Sequence, residues 1–348
     1  MDRPTSIAVI GAGLMGQRHA EHIRQDAKAS LFAIVDPAPA AKAFAQTIRA
    51  SWFPDFATMM AAGRPDGVVI ATPNHLHVSQ GLAAVAAGIP ALVEKPIADS
   101  VAAATVLVEA AEKARVPLLI GHHRRHNPMI QRARSIVESG KLGRIVTVHA
   151  FFWVMKPDEY YDTQWRREAG GGPVMLNLVH DIDLLRYLCG NIAAVQAFQS
   201  SAVRGFAVDD TTVVNLRFAN GALGTVNVSD TAIAPWSWEL TAGESPVYPQ
   251  SGQCCYFIAG TQGSLAIPRL EVWSNADKAS WWEPLQVERI IAVGEDPLPR
   301  QIRHFCRVIS GEEQPLVSGR EGLAALTIIE AIQRAARNGE CVQTAPAR

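Results

Sequence analysis

The chain has 348 residues, enough for two ordinary domains, and 48% of them are hydrophobic, ample material for soluble cores. Its 32 basic and 33 acidic side chains leave a formal charge of -1, so no global field draws in nucleic acid or an anionic membrane. No apolar run approaches the roughly 18 residues of a spanning helix, and five cysteines without C-x-x-C spacing read as reduced, buried thiols of a cytoplasmic protein.

From residue 5 to about 122, short apolar runs alternate with Ala-rich helical stretches, the rhythm of a parallel sheet with crossover helices. Strands are expected at 6–10, 31–35, 67–71, 91–94 and 117–121, with helices at 14–27, 38–47, 56–62, 76–87 and 99–114. This is a doubly wound nucleotide fold, assigned to residues 1–122. A helix at 128–139 opens a second, α+β domain over 123–348. Its strands are expected at 143–154, 193–203, 211–219, 222–230, 237–242, 255–259, 264–267 and 287–292. They lie close together in sequence and Asn220-Gly221 reads as a hairpin turn, so an open, mostly antiparallel sheet follows. Helices at 174–188, 297–310 and 319–338 complete it, the last two with the option of packing back on the first domain.

The first strand runs into Gly11-Ala-Gly-Leu-Met-Gly16. There Gly11 makes the tight turn, Gly13 lets the backbone of Gly13, Leu14 and Met15 approach a pyrophosphate, and Gly16 permits helix–strand contact. The helix N-terminus favours the phosphates. Asp36, twenty residues beyond Gly16, stands where a carboxylate accepts hydrogen bonds from a ribose diol and repels a 2′-phosphate; with Pro37 next and no arginine alongside, NAD is favoured over NADP. Thr72-Pro73-Asn74-His75 follows a third strand at the same carboxyl edge. Thr72, Asn74 and His77 are therefore assigned to the cofactor cleft. Helix capping is an equal alternative for Asn74, and His75 and His77 read as surface or capping side chains rather than catalysts.

Glu94-Lys95-Pro96 ends the fourth strand of that pattern, and Lys95 alone of the seven lysines stands directly at the end of a parallel strand. Glu94 is placed at the cofactor edge as a local partner that orients Lys95. On the later helix, Asn177 and Asp183 flank His180 at three residues to either side, giving one polar face. Asp183 is assigned with Asn177 to the substrate site, where it either fixes the imidazole tautomer or caps and pairs with Arg186. Gly121-His122-His123-Arg124-Arg125-His126 is a dense basic loop, in which Arg124 and Arg125 either meet ligand oxygens or bridge domains. No carboxylate or cysteine cluster accompanies its histidines, so no metal is expected. Trp165, Arg166 and Arg167 stand ahead of the glycines at 170–172, suited to a sugar face or an acidic substrate, with packing as the alternative. Trp236, Trp238, Trp281 and Trp282 read as packing or oligomer-interface residues.

The glycine loop, Thr72-Pro-Asn-His-Leu-His77, Glu94-Lys-Pro96 and the segment Gly170 to Asp183 occur in the order that resembles the Gfo/Idh/MocA family of NAD(P)-dependent oxidoreductases, over nearly the whole chain. The resemblance implies a Rossmann domain, a C-terminal domain with an open mixed sheet, a small polyhydroxylated substrate, and a homodimer or homotetramer. It also implies that Lys95 and His180 flank the substrate carbon beside the nicotinamide, and that Pro96 adopts a cis peptide. Removing hydride from a carbinol leaves a proton on oxygen; His180 suits the base and Lys95 the orienting cation. The family's usual aspartate four residues before the histidine is Leu176 here, with Asn177 one residue later as the candidate replacement. The same residues would also serve glycoside cleavage through transient oxidation, and a non-catalytic NAD sensor is the reading from another class.

Overall fold

The computed structural model describes residues 3–168, 170–292 and 294–344. They fall into two compact units, one running through His123 and taking in Pro297–Leu326, the other made of Arg124–Asp296 and the chain from Thr327 onward.

The first unit is built on a six-stranded parallel sheet of order β3-β2-β1-β4-β5-β6. Its strands are β1 (Thr5–Ile10), β2 (Ala29–Val35), β3 (Trp52–Phe53), β4 (Gly67–Ile70), β5 (Ala91–Val93) and β6 (Leu118–Ile120). The crossovers are α1 (Leu14–Gln25), α2 (Pro39–Thr47), α3 (Phe56–Ala62), α4 (Asn74–Ala86) and α5 (Val101–Ala114). Strands covered on both faces cannot alternate apolar with polar residues, and all four residues of β4 are accordingly buried. β3 is a two-residue edge strand, too short to carry a period that sequence reading detects. Helix α9 (Pro297–Ile309) lays Ile302, Phe305, Cys306 and Val308 into the cluster that contains Val9, Ile34 and Leu92. Burying Phe305 and Ile302 completely contributes roughly 1.5–3 kcal/mol each. The segment after α9 then extends the sheet edge, since the Ile120 amide donates to the Val317 carbonyl at 3.0 Å.

The second unit carries a nine-stranded mixed sheet of order β14-β13-β12-β11-β7-β10-β9-β8-β15. These are β7 (Ile145–Trp153), β8 (Ile192–Ser200), β9 (Thr211–Phe218), β10 (Leu223–Ser229), β11 (Tyr256–Gly260), β12 (Ser264–Ile267), β13 (Glu271–Asn275), β14 (Leu285–Arg289) and β15 (Val342–Gln343). Only β7 and β10 pair in parallel. Strand alternation sets one face of this sheet inward: Val148, Ala150 and Phe152 are buried while Phe151 and Trp153 lie on the open face. There Phe151, Trp153 and Trp236 form an edge-to-face cluster with centroids 4.9–6.0 Å apart. α6 (Pro128–Glu138), capped by the Asn127 side chain, packs against α7 (Val179–Cys189), which is buried along nearly its whole length.

Local reading misplaces several pieces. The expected strand at 237–242 is a short helix, α8 (Trp238–Thr241), because Ser237 accepts from the Leu240 amide and starts a helical turn. The 160–168 loop is two 3-10 turns, Asp158–Asp162 and Gln164–Arg167. The expected helix from 174 begins as a π-helical turn, Val174–Leu178, before α7. β13 and β15 escape detection, and α10 (Gly319–Asn338) stands where expected. Four cysteines are buried, but Cys341 is exposed. Trp238 is a core residue, whereas Trp281 and Trp282 are 89% and 81% exposed and do not pack inside this chain. No described helix is long and apolar enough to cross a membrane.

Candidate active site

In the first unit the glycine loop has the geometry of a pyrophosphate cradle. Gly11 sits at φ +91°, and a Cβ there would stand 2.7 Å from the Ala71 carbonyl oxygen; a Cβ on Gly16 would stand 1.9 Å from the Gly11 oxygen. A Cβ on Gly13 meets nothing within 4 Å, so this glycine lines open space in front of α1. Helix α1 starts without a side-chain cap and without an acid in its first turn, leaving the amides of Leu14 and Met15 at a positive helix end. Leu14 is itself 81% exposed at that edge. Asp36 lies just past β2: its Oδ2 accepts from the Ala12 amide and its Oδ1 from the Ala38 amide, both at 2.8 Å. The carboxylate thus ties the loop to the strand and keeps lone pairs for a diol, so it serves the turn and the ribose position together. These residues fit a dinucleotide: Gly11, Gly13, Leu14, Met15 and Gly16 would hold the phosphates and Asp36 the ribose.

The next elements hold Lys95 at the same carboxyl edge, where β5 pairs with β4 and β4 with β1. Glu94 is buried, accepting at 2.7 Å from His19 Nε2 on α1 and at 3.1 Å from the Lys95 amide. The expected Glu94–Lys95 pairing therefore runs through the backbone amide, and the side-chain partner is His19, which sequence reading missed. Burial alone would push the Glu94 carboxyl up; the His19 hydrogen bond and the charges of His19, His123 and Lys95 hold it at about 2 instead. The Lys95–Pro96 peptide is cis. His77 is not a surface or capping residue. It is buried, with Nδ1 2.9 Å from the Pro96 carbonyl and Nε2 2.8 Å from the Thr72 carbonyl, so it links the turn after β4 to the turn after β5. Burial pushes its pKa down, and a neutral ring donates to only one of the two carbonyls. Asn74 is the first residue of α4 and makes no cap, while the Thr72 hydroxyl donates to Gln80 at 2.8 Å.

Glu94 gives a pH prediction. Its folded value lies below the ordinary 4.5, so the stability it contributes is fully present above about 4.5 and is lost as pH falls toward 2, on the order of 3 kcal/mol in all. Thermal unfolding followed from pH 5 to pH 2 should lose stability less steeply in Glu94→Gln than in the parent chain.

In the second unit His180 occupies the first turn of α7 and is 7% exposed. The flanking acids do not play the expected parts. Asp183 is buried and forms a two-point salt bridge with Arg125, at 2.9 Å to Nε and 2.7 Å to Nη2. Arg186 donates to Asn191 instead, at 3.1 Å. Arg124, the first residue of the second unit, finds its partners within that unit. Its side chain is 4% exposed, donating to Asp181 at 3.1 Å and Glu239 at 2.7 Å, with the Tyr256 hydroxyl 3.4 Å away. Burial pushes the Asp181 carboxyl up to about 6 despite Arg124 and the Tyr256 hydroxyl, which donates to the same oxygen. Among the described residues no His, Cys, Asp and Glu group is placed to hold a metal.

Asn177 stands on the π-helical turn and accepts from Lys156 Nζ at 2.8 Å, a partner missed in sequence because residue 156 lies in no recognisable motif. Arg166 lies over the Tyr160 ring at 4.0 Å and donates to the Tyr160 carbonyl, while Trp165 is half exposed beside it.

A parallel sheet with this glycine loop, the Asp36 carboxylate and a strand-end lysine at one edge defines an NAD-dependent dehydrogenase. Residues 5–122 match the model of the oxidoreductase family with NAD-binding Rossmann fold, and residues 130–266 that of the GFO/IDH/MocA C-terminal domain. The chain belongs to the Gfo/Idh/MocA family of oxidoreductases. It is 27% identical over 93% of both chains to the rhizopine catabolism protein MocA of Rhizobium meliloti. It is 30% identical to inositol 2-dehydrogenase 4 of Saccharopolyspora erythraea, over 65% of this chain and 67% of that one. The solved WlbA dehydrogenase of Bordetella pertussis, in complex with NADH and UDP-GlcNAcA, superposes with a TM-score of 0.82 at 28% identity, covering 99% of this chain and all of that one.

Proposed function

We propose that the protein transfers a hydride between NAD and a secondary alcohol of a sugar, polyol or sugar-acid derivative, with His180 as base and Lys95 as orienting cation. The observation that carries this reading is the placement of Lys95 at the carboxyl edge of the sheet that carries the Gly11–Gly16 cradle, next to a Glu94 held ionised by His19. The named relatives support a sugar or polyol oxidoreductase: besides the inositol dehydrogenase, a 1,5-anhydro-D-fructose reductase of Ensifer adhaerens matches at 27% identity over 80% of this chain.

Bound NAD supplies the hydride acceptor. His180 takes the hydroxyl proton at a ring nitrogen as the carbinol C–H bond breaks, and a ketone results. The Lys95 ammonium orients the substrate oxygen and steadies its developing negative charge. Asp36 selects the ribose diol and rejects a 2′-phosphate.

The test is a panel of sugars, polyols and sugar acids followed by absorbance, with NAD and NADP in separate series. Turnover with NAD should exceed that with NADP by about tenfold or more, roughly the 1.4 kcal/mol of one repulsive contact. Faster turnover with NADP overturns the role of Asp36. Release of a leaving group without net NADH would replace dehydrogenation by glycoside cleavage.

A further inference from the structure

We propose that Lys156 and Asn177 form a cationic, donor-rich subsite one turn ahead of His180 that takes the carboxylate of a sugar acid. This deepens the reading of His180 as the base of a sugar or polyol dehydrogenase and rests on it.

The donor inventory fixes the polarity. A lysine ammonium only donates, so the Asn177 carboxamide must turn its Oδ1 toward Lys156 Nζ, at 2.8 Å. The Nδ2 protons of Asn177 then face the other way, and among the described residues no acceptor takes them. A substrate group meeting this pair finds the Lys156 ammonium and the Asn177 Nδ2 protons as donors, against one remaining lone pair on Oδ1 as acceptor. A carboxylate, which only accepts, matches that set.

The charge balance agrees. The Lys156 side chain is 11% exposed and its nearest anion is Asp230, with Nζ 3.4 Å from Oδ2. Asp230 already serves Arg204, whose Nε lies 3.4 Å from Oδ1, and it accepts from the Tyr161 hydroxyl. Arg204's other carboxylate, Asp158, is fully exposed. Two cations therefore converge on one buried carboxylate. A third, Arg166, stands over the Tyr160 ring, whose other cationic contact is Lys156 Nζ at 4.8 Å. Burial holds the Lys156 ammonium below its ordinary value, with Asp230 and Glu239 opposing that fall, and a further anion at this place would oppose it too. Lys156 hydrogen-bonds through its amide to the Asp230 carbonyl at 3.0 Å and Arg204 donates to the Lys156 carbonyl at 2.8 Å, so the lysine stem is fixed from both sides.

The experiment measures binding of D-glucuronate, D-gluconate and D-glucose to the NADH-loaded full chain by calorimetry, with turnover on NAD followed in parallel. The parent protein should bind the acids at least tenfold more tightly than glucose, about 1.4 kcal/mol. In Lys156→Met that ratio should fall to about twofold or less, and in Lys156→Arg, which keeps the charge, it should persist. Asn177→Asp, which turns a donor into an anion, should invert the preference. Equal binding of acid and neutral sugar by the parent, no binding of either acid, or an unchanged ratio in both Lys156→Met and Asn177→Asp overturns the subsite. Turnover without preference for acids overturns the subsite alone, whereas acid-selective binding without turnover of any sugar overturns the hydride-transfer reading and supports the subsite.

Discussion

Replacing His180 by Asn is expected to lower kcat for oxidation by about 10²–10⁴-fold, the usual contribution of a positioned base, while NADH affinity measured by fluorescence stays within about twofold. The pH profile separates this from a packing defect. A histidine base works only when neutral, so kcat/KM of the parent should fall as the pH drops and the imidazole protonates, and that acid limb should disappear in the variant. Lys95→Met should cost about 10²–10³-fold in kcat, the scale of losing one preorganised charge at a developing oxyanion. Turnover that survives both replacements would remove these residues from the chemistry.

The largest stability effect is expected at Arg124. Arg124→Met should destabilise the chain by about 3–5 kcal/mol in urea unfolding, because it strands buried carboxylates that the guanidinium now compensates. Asp181 is 1% exposed, and Glu239 accepts from the same arginine at 2.7 Å. Glu244, hydrogen-bonded to Asn127, is pushed up to about 7 by burial against the pull of Arg124. The sign of the pH dependence follows. Carboxyls raised above their unfolded values cost nothing below those values and cost most above their folded ones. Asp181 titrates at about 6 and Glu244 at about 7, so the loss in Arg124→Met should be greatest above pH 7 and shrink toward pH 5. A loss independent of pH would mean that Arg124 acts mainly by packing on Trp238, whose ring centroid is 5.8 Å from its guanidinium carbon.

Much of the first unit was legible because its signals are local. Apolar runs of four to seven residues separated by helical stretches define β1, β2 and β4, and the spacing of Gly11, Gly13 and Gly16 defines the turn that the backbone then makes. Lys95 is placed by the strand that ends before it. The 237–242 segment failed for an equally local reason: its apolar residues fit a strand as well as a helix, and the Ser237 cap decided between them. The burial of His77 escaped sequence reading because one of its two carbonyl partners, Pro96, lies 19 residues away and comes beside α4 only in the folded sheet.

By itself, the sequence determined the parallel nucleotide-binding sheet, the dinucleotide cradle and the chemical residue types at positions 95 and 180. These rest on short-range constraints: strand and helix periodicity, positive φ at glycine, and a residue's place at a strand end. Only the tertiary structure decided which charges are structural and which face a ligand. Arg124 meets Asp181 across 57 residues and Glu239 across 115, and Arg125 meets Asp183 across 58, pairings for which no periodicity exists in the chain. A buried ion pair is selected by where two surfaces close on each other and by the cost of leaving either charge alone. The same closing of surfaces paired Asp183 with Arg125 and brought Lys156 within hydrogen-bond distance of Asn177.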